Sequence, residues 1–275
     1  MKYLPLMLMA LLGTAASGCL PGVGDEQESI ATVEGACEGE NRISVNALDL
    51  ASLNLKDLNL SVLDLDVLDP AAVSALQDPG TTGARARQIL RYAAGCALDS
   101  SQSFDFTWVD ALSVTHSESY VGSLGLATAW AARPLTVAED LWISACLIAR
   151  VNWYGLPVMI SMRGSHSQLD HTDALEVQFY SSQEGAFWGT LFGSSPAVYS
   201  CHYGANILTS RSKNRDCAAG HYDALNGVQN CGIINIVGDC STYCSSMTAT
   251  GKYYPACTND LKGAYASKVI TVWLH

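Results

Sequence analysis

Ten cysteines constrain the fold of this 275-residue chain more than any other feature of its sequence. Six of them lie in the last third of the chain, where glycine and asparagine are also frequent. Secreted proteins oxidise such thiols to disulfide bonds, whereas cytosolic proteins keep them reduced or use them for metals. The compartment therefore decides how the whole set is interpreted. The cysteines stand at positions 19, 37, 96, 146, 201, 217, 231, 240, 244 and 257.

The first 19 residues, MKYLPLMLMALLGTAASGC, indicate export from a bacterial cytoplasm. Lys2 precedes an apolar run at 3–12, and small residues then lead to Cys19. This order is that of a bacterial signal peptide. The last four residues, ASGC, resemble the lipobox of bacterial lipoproteins, so residues 1–18 are predicted to be removed and Cys19 to be lipidated. The alternatives are an ordinary signal peptide cleaved nearby and a membrane anchor, for which the apolar run is short.

A lipid on Cys19 would hold the mature protein at a membrane. The net charge of the chain limits the classes of molecule that it can bind as further partners. Leu20 is not acidic, which favours the outer membrane of the bacterial cell envelope by resemblance to known sorting rules. Removal of Lys2 leaves 14 of the 15 basic residues against 26 acidic ones, a net charge of −12. We therefore predict the membrane anchor at Cys19 and an unidentified protein or glycan as partners, and no nucleic acid.

Outside the cytoplasm, the nine cysteines other than Cys19 are predicted to form disulfide bonds. Nine is odd, so the simplest arrangement is four bonds and one free thiol. Cys37 lies in a polar segment and is the predicted free thiol. The sequence does not choose the pairing, although the neighbouring pairs 201–217, 231–240 and 244–257 are plausible. The predicted disulfide cysteines are Cys96, Cys146, Cys201, Cys217, Cys231, Cys240, Cys244 and Cys257.

A zinc site is the other use of clustered cysteines, and their spacing does not favour it. Four-thiolate sites usually need spacings of about two to four residues at both ends of the cluster. Only Cys240 and Cys244 are spaced in that way. Neither a Gly-rich phosphate loop nor a nucleotide-binding motif appears in the sequence, so we predict no metal and no cofactor.

The composition divides the remaining chain into three segments. Residues 19–42 are acidic and contain glycine, which predicts a flexible tether. A leucine-rich repeat occupies 43–69 and ends before Pro70. Residues 70–275 predict one disulfide-stabilised α+β domain, with a cysteine-rich part at 201–257.

Two main helices are predicted in this domain, at about 83–97 and 137–154, from apolar residues at helical spacing. Thr136 and Glu139 form the pattern of a capping box, and Gly155 stands where a helix commonly ends. Short antiparallel strands are predicted around the helices. The further predicted elements are a short helix at 70–76 and strands at 104–109, 112–120, 158–162, 175–180, 197–203 and 269–274.

Residues 46–69, NALDLASLNLKDLNLSVLDLDVLD, repeat with a period of five. Two sets of leucines flank an Asp or Asn in each unit. The stretch loosely resembles pentapeptide repeats, a family that coils into a square β-helix. In that family the position before the Asp or Asn is usually small, whereas a leucine stands there in this chain. Solenoids also need several stacked turns, so we interpret the segment as a short extended ladder or stalk.

Five other stretches carry a second resemblance: LRYAAGCAL (90–98), GLATAW (125–130), WISACLIARVNWYG (142–155), ISMRG (160–164) and QEGAFWGTLF (183–192). They are similar to an uncharacterised family of predicted bacterial lipoproteins with Leu/Asn-rich repeats ahead of a cysteine-containing domain. The resemblance covers most of residues 43–200 and implies this architecture, with no particular chemistry. It also implies a disulfide bond between Cys96 and Cys146, since the two helical cysteines recur together in such proteins.

Two groups of residues are predicted to form a binding surface. His166, Asp170 and His171 lie in a polar loop, HSQLDHTD, of the kind that carries sites between strands. Phe187 and Trp188 lie among glycines in QEGAFWGTLF, as in platforms that bind sugars or peptides. The alternatives are a solvated loop and a core corner filled by aromatic rings.

Local motifs for catalysis are incomplete. Cys146 lies three turns inside a helix, beyond the reach of the dipole that lowers a thiol's pKa. The stretches around Ser123 and Ser165 lack the spacing of a serine hydrolase motif. We therefore predict a structural or recognition role in the envelope. The alternative is an exported hydrolase acting on cell-wall or extracellular polymer, with His166, Asp170 or Ser165 near the chemistry.

Overall fold

A computed structural model gives the fold of most of the domain. The predicted lipidation of Cys19 and the repeat at 46–69 lie outside the described residues, as does His171. No helix of the described part combines the length and the apolar character needed to cross a membrane. The described residues are 70–170, 173–192, 195–250 and 252–275, with three short backbone segments at 32–33, 36–40 and 43–44.

Six α-helices and thirteen strands in the described residues form an α+β domain, as predicted. The helices are α1 (Pro70–Gln77), α2 (Thr81–Ala97), α3 (Val137–Ala149), α4 (Ala174–Phe179), α5 (Ile207–Ser212) and α6 (Cys240–Tyr243). The strands are β1 (Thr32–Val33), β2 (Ala36–Glu40), β3 (Ile43–Ser44), β4 (Ser103–Val109), β5 (Thr115–Val121), β6 (Val151–Asn152), β7 (Met159–Arg163), β8 (Ser182–Thr190), β9 (Ala197–His202), β10 (His221–Asp223), β11 (Gly227–Gln229), β12 (Ile234–Asp239) and β13 (Val269–Leu274).

Seven strands form the main sheet, in the order β1-β2-β7-β13-β8-β9-β12. Neighbouring strands of this sheet run antiparallel, except for β9 and β12, which run parallel. Strands β3 and β6 form a second parallel pair, so the predicted antiparallel arrangement holds for most of the strands and not for these. Strand β8 lies at the centre of the domain, because β13 and β9 flank it and α3 packs on it.

Helix α3 begins at the predicted capping box and ends earlier than predicted. The N–H of Glu139 donates to Thr136 Oγ1 at 3.3 Å, and the Glu139 carboxylate accepts the N–H of Thr136 at 2.7 Å. Arg133 donates two bonds to the same carboxylate and lowers the pKa of Glu139 to about 2. The helix ends at Ala149 instead of 154, because Val151 and Asn152 pair as β6 with β3. Gly155 adopts the expected left-handed conformation, with φ of 63°, in the turn after β6.

Removal of the Thr136 cap is expected to destabilise the domain by about 1 kcal/mol, the usual cost of replacing an N-cap threonine with alanine. The change Thr136→Ala leaves the N–H of Glu139 without its side-chain acceptor. The free energy of unfolding from urea denaturation measures the effect. Thr128→Ala is the matched control, because Thr128 is exposed and caps no helix. Equal losses in both variants would contradict the capping role.

The hairpin of β4 and β5 packs one face of its first strand into the core. Burial alternates along β4, with Phe104, Phe106 and Trp108 inward, as their spacing predicts. The tip of the hairpin exposes Leu112 and Val114 to solvent.

The predicted strand at 175–180 is wrong, because this segment forms α4. Asp173 caps the helix by accepting the N–H of Glu176 at 2.6 Å. Glu176 itself turns inward, where its carboxylate binds Arg163 at 2.6 Å in a pair that is 2% and 1% exposed. The cap at Asp173 and the burial of Glu176 against Arg163 both stabilise the helix that forms instead of the predicted strand.

Part of the predicted flexible tether, at 19–42, forms a strand instead, β2. This strand pairs antiparallel with β7, from Cys37 opposite Met162 to Glu40 opposite Met159. The pairing covers an edge of β7 that would otherwise present free backbone groups, and such edges are commonly protected.

Four disulfide bonds join the described cysteines, two of them as expected. Cys96–Cys146 joins α2 to α3, and Cys244–Cys257 joins neighbours in the chain. The neighbouring pairs 201–217 and 231–240 are wrong, since the bonds are Cys201–Cys240 and Cys217–Cys231. The parallel pairing of β9 with β12 explains the difference, because it brings Cys201 opposite Gly238 and hence beside the start of α6.

Candidate functional site

The structure removes Phe187 and Trp188 from the predicted binding surface. Their exposed fractions are 0% and 2%. Both faces of β8 are covered, so the two rings enter separate parts of the core on opposite sides of the strand. Sequence alone does not separate such rings from an exposed platform, since both place aromatics among glycines.

The polar loop at 164–170 keeps two of its predicted residues at the surface. His166 is partly buried, with its ring 5.4 Å from that of Trp142, and this burial lowers its pKa. Asp170 is exposed. Ser165 Oγ donates to the carbonyl of Ser267 at 3.5 Å. His166 Nδ1 accepts the N–H of Gln168 at 3.2 Å, so in the described part of this loop the side chains are not arranged as an acid, a base and a nucleophile.

Cys146 cannot act as a nucleophile in this structure. Its sulfur is bonded to Cys96, and both residues are fully buried. Cys146 therefore holds helices α2 and α3 together through its disulfide bond.

Two histidines form close pairs with buried aspartates. His116 Nε2 lies 3.0 Å from Asp110 Oδ2, and His221 Nδ1 lies 2.7 Å from Asp216 Oδ2. Such pairs orient an imidazole in many enzymes. In the described chain, however, the remaining groups on the two carboxylates are backbone N–H groups at Asp110 and the Tyr154 hydroxyl at Asp216. A nucleophile would instead bond the second ring nitrogen, Nδ1 of His116 or Nε2 of His221, and no serine or cysteine of the described residues does so.

The second pair stands beside an aromatic stack. The rings of His221 and Trp153 are parallel, with centroids 4.0 Å apart, and Tyr154 meets His221 edge-on. Tyr154 also donates its hydroxyl to Asp216 at 3.2 Å. Asp216 therefore fixes two rings at once, and His221 is held on two sides.

A fully buried ion pair lies next to Asp216 in the chain and fixes the backbone there. Arg215 precedes Asp216 and binds the carboxylate of Glu184 at 2.7 Å, with both side chains 0% exposed. Its other N–H groups donate to the carbonyls of Ala149 and Val151, at 2.9 Å and 2.7 Å. Arg215 thus connects the end of α3, β6 and β8 to the chain that leads into β10.

Residues 217–231 follow Asp216 and form a loop at the surface of the domain, which we call the 217–231 loop. The Cys217–Cys231 bond closes the loop at its base, and β10 and β11 form a hairpin inside it. Asp223 accepts the N–H groups of Leu225 and Asn226 at 2.8 Å each, which shapes the turn. The loop is therefore fixed by a covalent bond, a strand pair and a capped turn.

Three large apolar residues of the 217–231 loop are exposed. Tyr222 and Val228 are opposite one another in the strand pair, and 58% and 57% of their surfaces are exposed. Leu225 stands in the turn with 93% exposed. The Arg211 guanidinium lies 5.6 Å from the ring of Tyr222, which adds a cation beside the apolar face. We call Tyr222, Leu225 and Val228 the apolar patch.

The sequence predicts only a cysteine-rich part at 201–257 in this region and does not reveal the patch. Two local signals were present. Asn226-Gly227 is typical of a tight hairpin turn, and Gly227 does adopt a positive φ of 75°. Cys217 and Cys231 lie on either side of the turn and are bonded to each other.

Comparisons of the chain with family models, with curated proteins and with solved structures find no match.

Proposed function

We propose that this protein is a lipoprotein of the bacterial envelope that recognises a protein partner through the 217–231 loop. The observation that carries the proposal is the apolar patch on a covalently closed hairpin. Exposed apolar groups on rigid elements are typical of protein-binding sites, where a few central residues supply most of the affinity.

A protein partner fits the surface better than a glycan does. Sugars stack on the open face of an aromatic ring, but His221 already occupies one face of Trp153. The ring of Tyr222 has the Arg211 guanidinium over one face, 5.6 Å from its centroid. The most exposed group of the patch is aliphatic, Leu225. Leucine offers apolar area without a flat face, and such area is best buried against another apolar protein surface. Arg211 beside Tyr222 suits the polar rim that surrounds such contacts.

The lipid anchor at Cys19 and the export signal at 1–18 complete the proposal. An anchored domain with a negative surface and a protruding loop would meet its partner in the envelope or at the cell surface. Mass spectrometry of the intact protein tests the anchor, since acylation adds a lipid mass that Cys19→Ala abolishes.

A photo-crosslinking amino acid at position 225 in cells tests recognition by the patch. We expect one protein to be crosslinked there, and the crosslink to be lost when Tyr222→Ala and Val228→Ser are added. The matched control places the same probe at Leu112, which is 79% exposed at the tip of the other hairpin. Equal crosslinking at both positions, or persistence in the double variant, would refute the proposed surface.

A further inference from the structure

Two of the four disulfide bonds touch one another. The Sγ atoms of Cys201 and Cys244 lie 3.5 Å apart, although each is bonded to a different partner. The sulfur of Cys257 lies within 4.8 Å of both. We call Cys201, Cys240, Cys244 and Cys257 the sulfur cluster.

The surroundings of the sulfur cluster hold its sulfurs together and restrict access to them. Cys244 is 9% exposed, whereas its three companions are fully buried. A reductant therefore meets Cys244 first. A thiol freed here would stay close to the other sulfurs, because the side chains packed around the cluster belong to a buried apolar core. That core includes Ala186, Trp188, Tyr254 and Val269.

We propose that the sulfur cluster is a thiol–disulfide exchange site whose substrate is a dithiol. Disulfide exchange proceeds by attack of a thiolate on a disulfide sulfur, through a mixed disulfide. The first thiolate of the substrate attacks Cys244 Sγ, forms a mixed disulfide and releases the Cys257 thiolate. The second thiolate of the substrate then attacks the first sulfur of the substrate in that mixed disulfide. This step closes the substrate disulfide and releases the Cys244 thiolate.

The released sulfur of Cys244 then attacks its neighbour. It forms a bond to Cys201 Sγ, 3.5 Å away, and breaks the bond from Cys201 to Cys240. Cys240 leaves as a thiolate and takes up a proton. In the balance, one dithiol is oxidised to a disulfide, and the two protein disulfides become one new bond, Cys201–Cys244, and two thiols, Cys240 and Cys257.

The exchange changes which parts of the fold are joined. Cys240 and Cys244 stand at the start of α6 and just after its end, so α6 stays tied to β9 whichever of them bonds Cys201. Cys257, by contrast, loses its covalent link to α6 and keeps only backbone bonds, such as those with Ala266. Reduction by one dithiol would therefore remove the covalent bond between Cys257 and the end of α6, leaving backbone bonds such as that from Thr258 N–H to the Tyr243 carbonyl, while β9 stays covalently joined to α6.

Limited reduction followed by thiol mapping tests the proposal. The folded protein is treated with an equimolar amount of dithiothreitol at mildly alkaline pH, where more thiol is ionised. It is then acid-quenched, alkylated in denaturant and mapped by mass spectrometry, against the labels found before reduction. We expect new labels on Cys240 and Cys257 and a crosslinked peptide pair containing Cys201 and Cys244.

Several outcomes would overturn the exchange site. Labels on Cys244 and Cys257 with Cys201–Cys240 intact would show that the first bond opens without transfer. Earlier reduction of Cys96–Cys146, which lies in the other core cluster, would show that the sulfur cluster is not the preferred entry. Resistance of all bonds to the reductant in the folded protein would also refute it.

Two variants separate the attacking sulfur from its neighbours. Cys257→Ser frees the Cys244 thiol without any reductant, so we expect a fraction of molecules with a Cys201–Cys244 bond and a labelled Cys240. Cys244→Ser frees Cys257 instead and should leave Cys240 unlabelled. Equal labelling of Cys240 in the two variants would overturn the role of Cys244. Should either variant fail to fold, the limited reduction of the unaltered protein still decides the question.

Discussion

Replacement of Arg215 by methionine is expected to destabilise the domain by about 3–5 kcal/mol, the range seen when one partner of a buried ion pair is removed. The guanidinium is fully buried and makes bonds to Glu184 and to two backbone carbonyls. Its loss strands the Glu184 charge in the core and leaves both carbonyls without a donor, and unpaired buried polar groups are costly. Burial already raises the pKa of Glu184 against the opposing effect of Arg215.

Urea denaturation of three variants isolates this contribution. Arg215→Met alone should lose the full amount, whereas Arg215→Met with Glu184→Gln should recover part of it, because no charge remains buried. Arg85→Met is the control, since Arg85 is exposed and surface changes usually stay within about 0.5 kcal/mol. A loss at Arg215 as small as that at Arg85 would contradict a structural role for the pair.

Arg215→Met is also expected to loosen the proposed recognition surface, because Arg215 joins that surface to the core. Arg215 is followed by Asp216, which holds His221 and Tyr154, and then by the 217–231 loop. Loosening of Arg215 should therefore raise hydrogen exchange in β10 and β11 before it does so in α3. The hairpin has few buried contacts of its own, and such elements open locally at low free energy.

The elements that sequence predicts well are those whose pattern is local. Phe104, Phe106 and Trp108 alternate along one strand, and that alternation matches their burial. Thr136 and Glu139 are three residues apart and bond each other as a capping box. Each pattern involves residues that are close in the chain, and in both cases the tertiary contacts agree with the local preference.

Predictions failed where a distant partner decided the outcome. The segment 175–180 alternates like a strand, but Glu176 is drawn inward by Arg163 and the segment becomes a helix. The pairing of Cys201 depends on the parallel alignment of β9 and β12, which the spacing of cysteines along the chain does not encode. Local propensity is a weak guide in such cases, because tertiary contacts override it.

The residues of the predicted and the proposed binding surfaces also differ in how far local sequence determines their exposure. Phe187 and Trp188 lie in a strand that is covered on both faces, and coverage depends on how the helices and loops pack. The apolar patch, in contrast, lies on a local hairpin with an Asn-Gly turn. Its exposure is not a sequence property, since an exposed Leu225 and a buried leucine look alike in the chain. The Asn-Gly turn is visible in the sequence, whereas the bond that closes the hairpin and the exposure of its side chains depend on how the chain folds.

Removal of the Cys96–Cys146 bond is expected to cost about 4 kcal/mol, because the bond closes a loop with a sequence separation of 50 and so restricts the unfolded chain. The variant Cys96→Ala with Cys146→Ala avoids a free thiol in the core. Its matched control is Cys217→Ala with Cys231→Ala, a separation of 14, for which the same relation gives about 3 kcal/mol. Urea denaturation should show the first variant losing more stability than the second.

The slope of the denaturation curve distinguishes the origin of that loss. A bond that acts on the unfolded chain keeps it compact, so its removal exposes more surface on unfolding and raises the m-value. A bond that acts only through packing between α2 and α3 would lower the stability and leave the m-value unchanged. Because both cysteines are fully buried, a packing contribution is also present. A rise in the m-value with a loss near 4 kcal/mol would assign most of the effect to the unfolded chain, whereas unaltered stability would mean that the bond does not form.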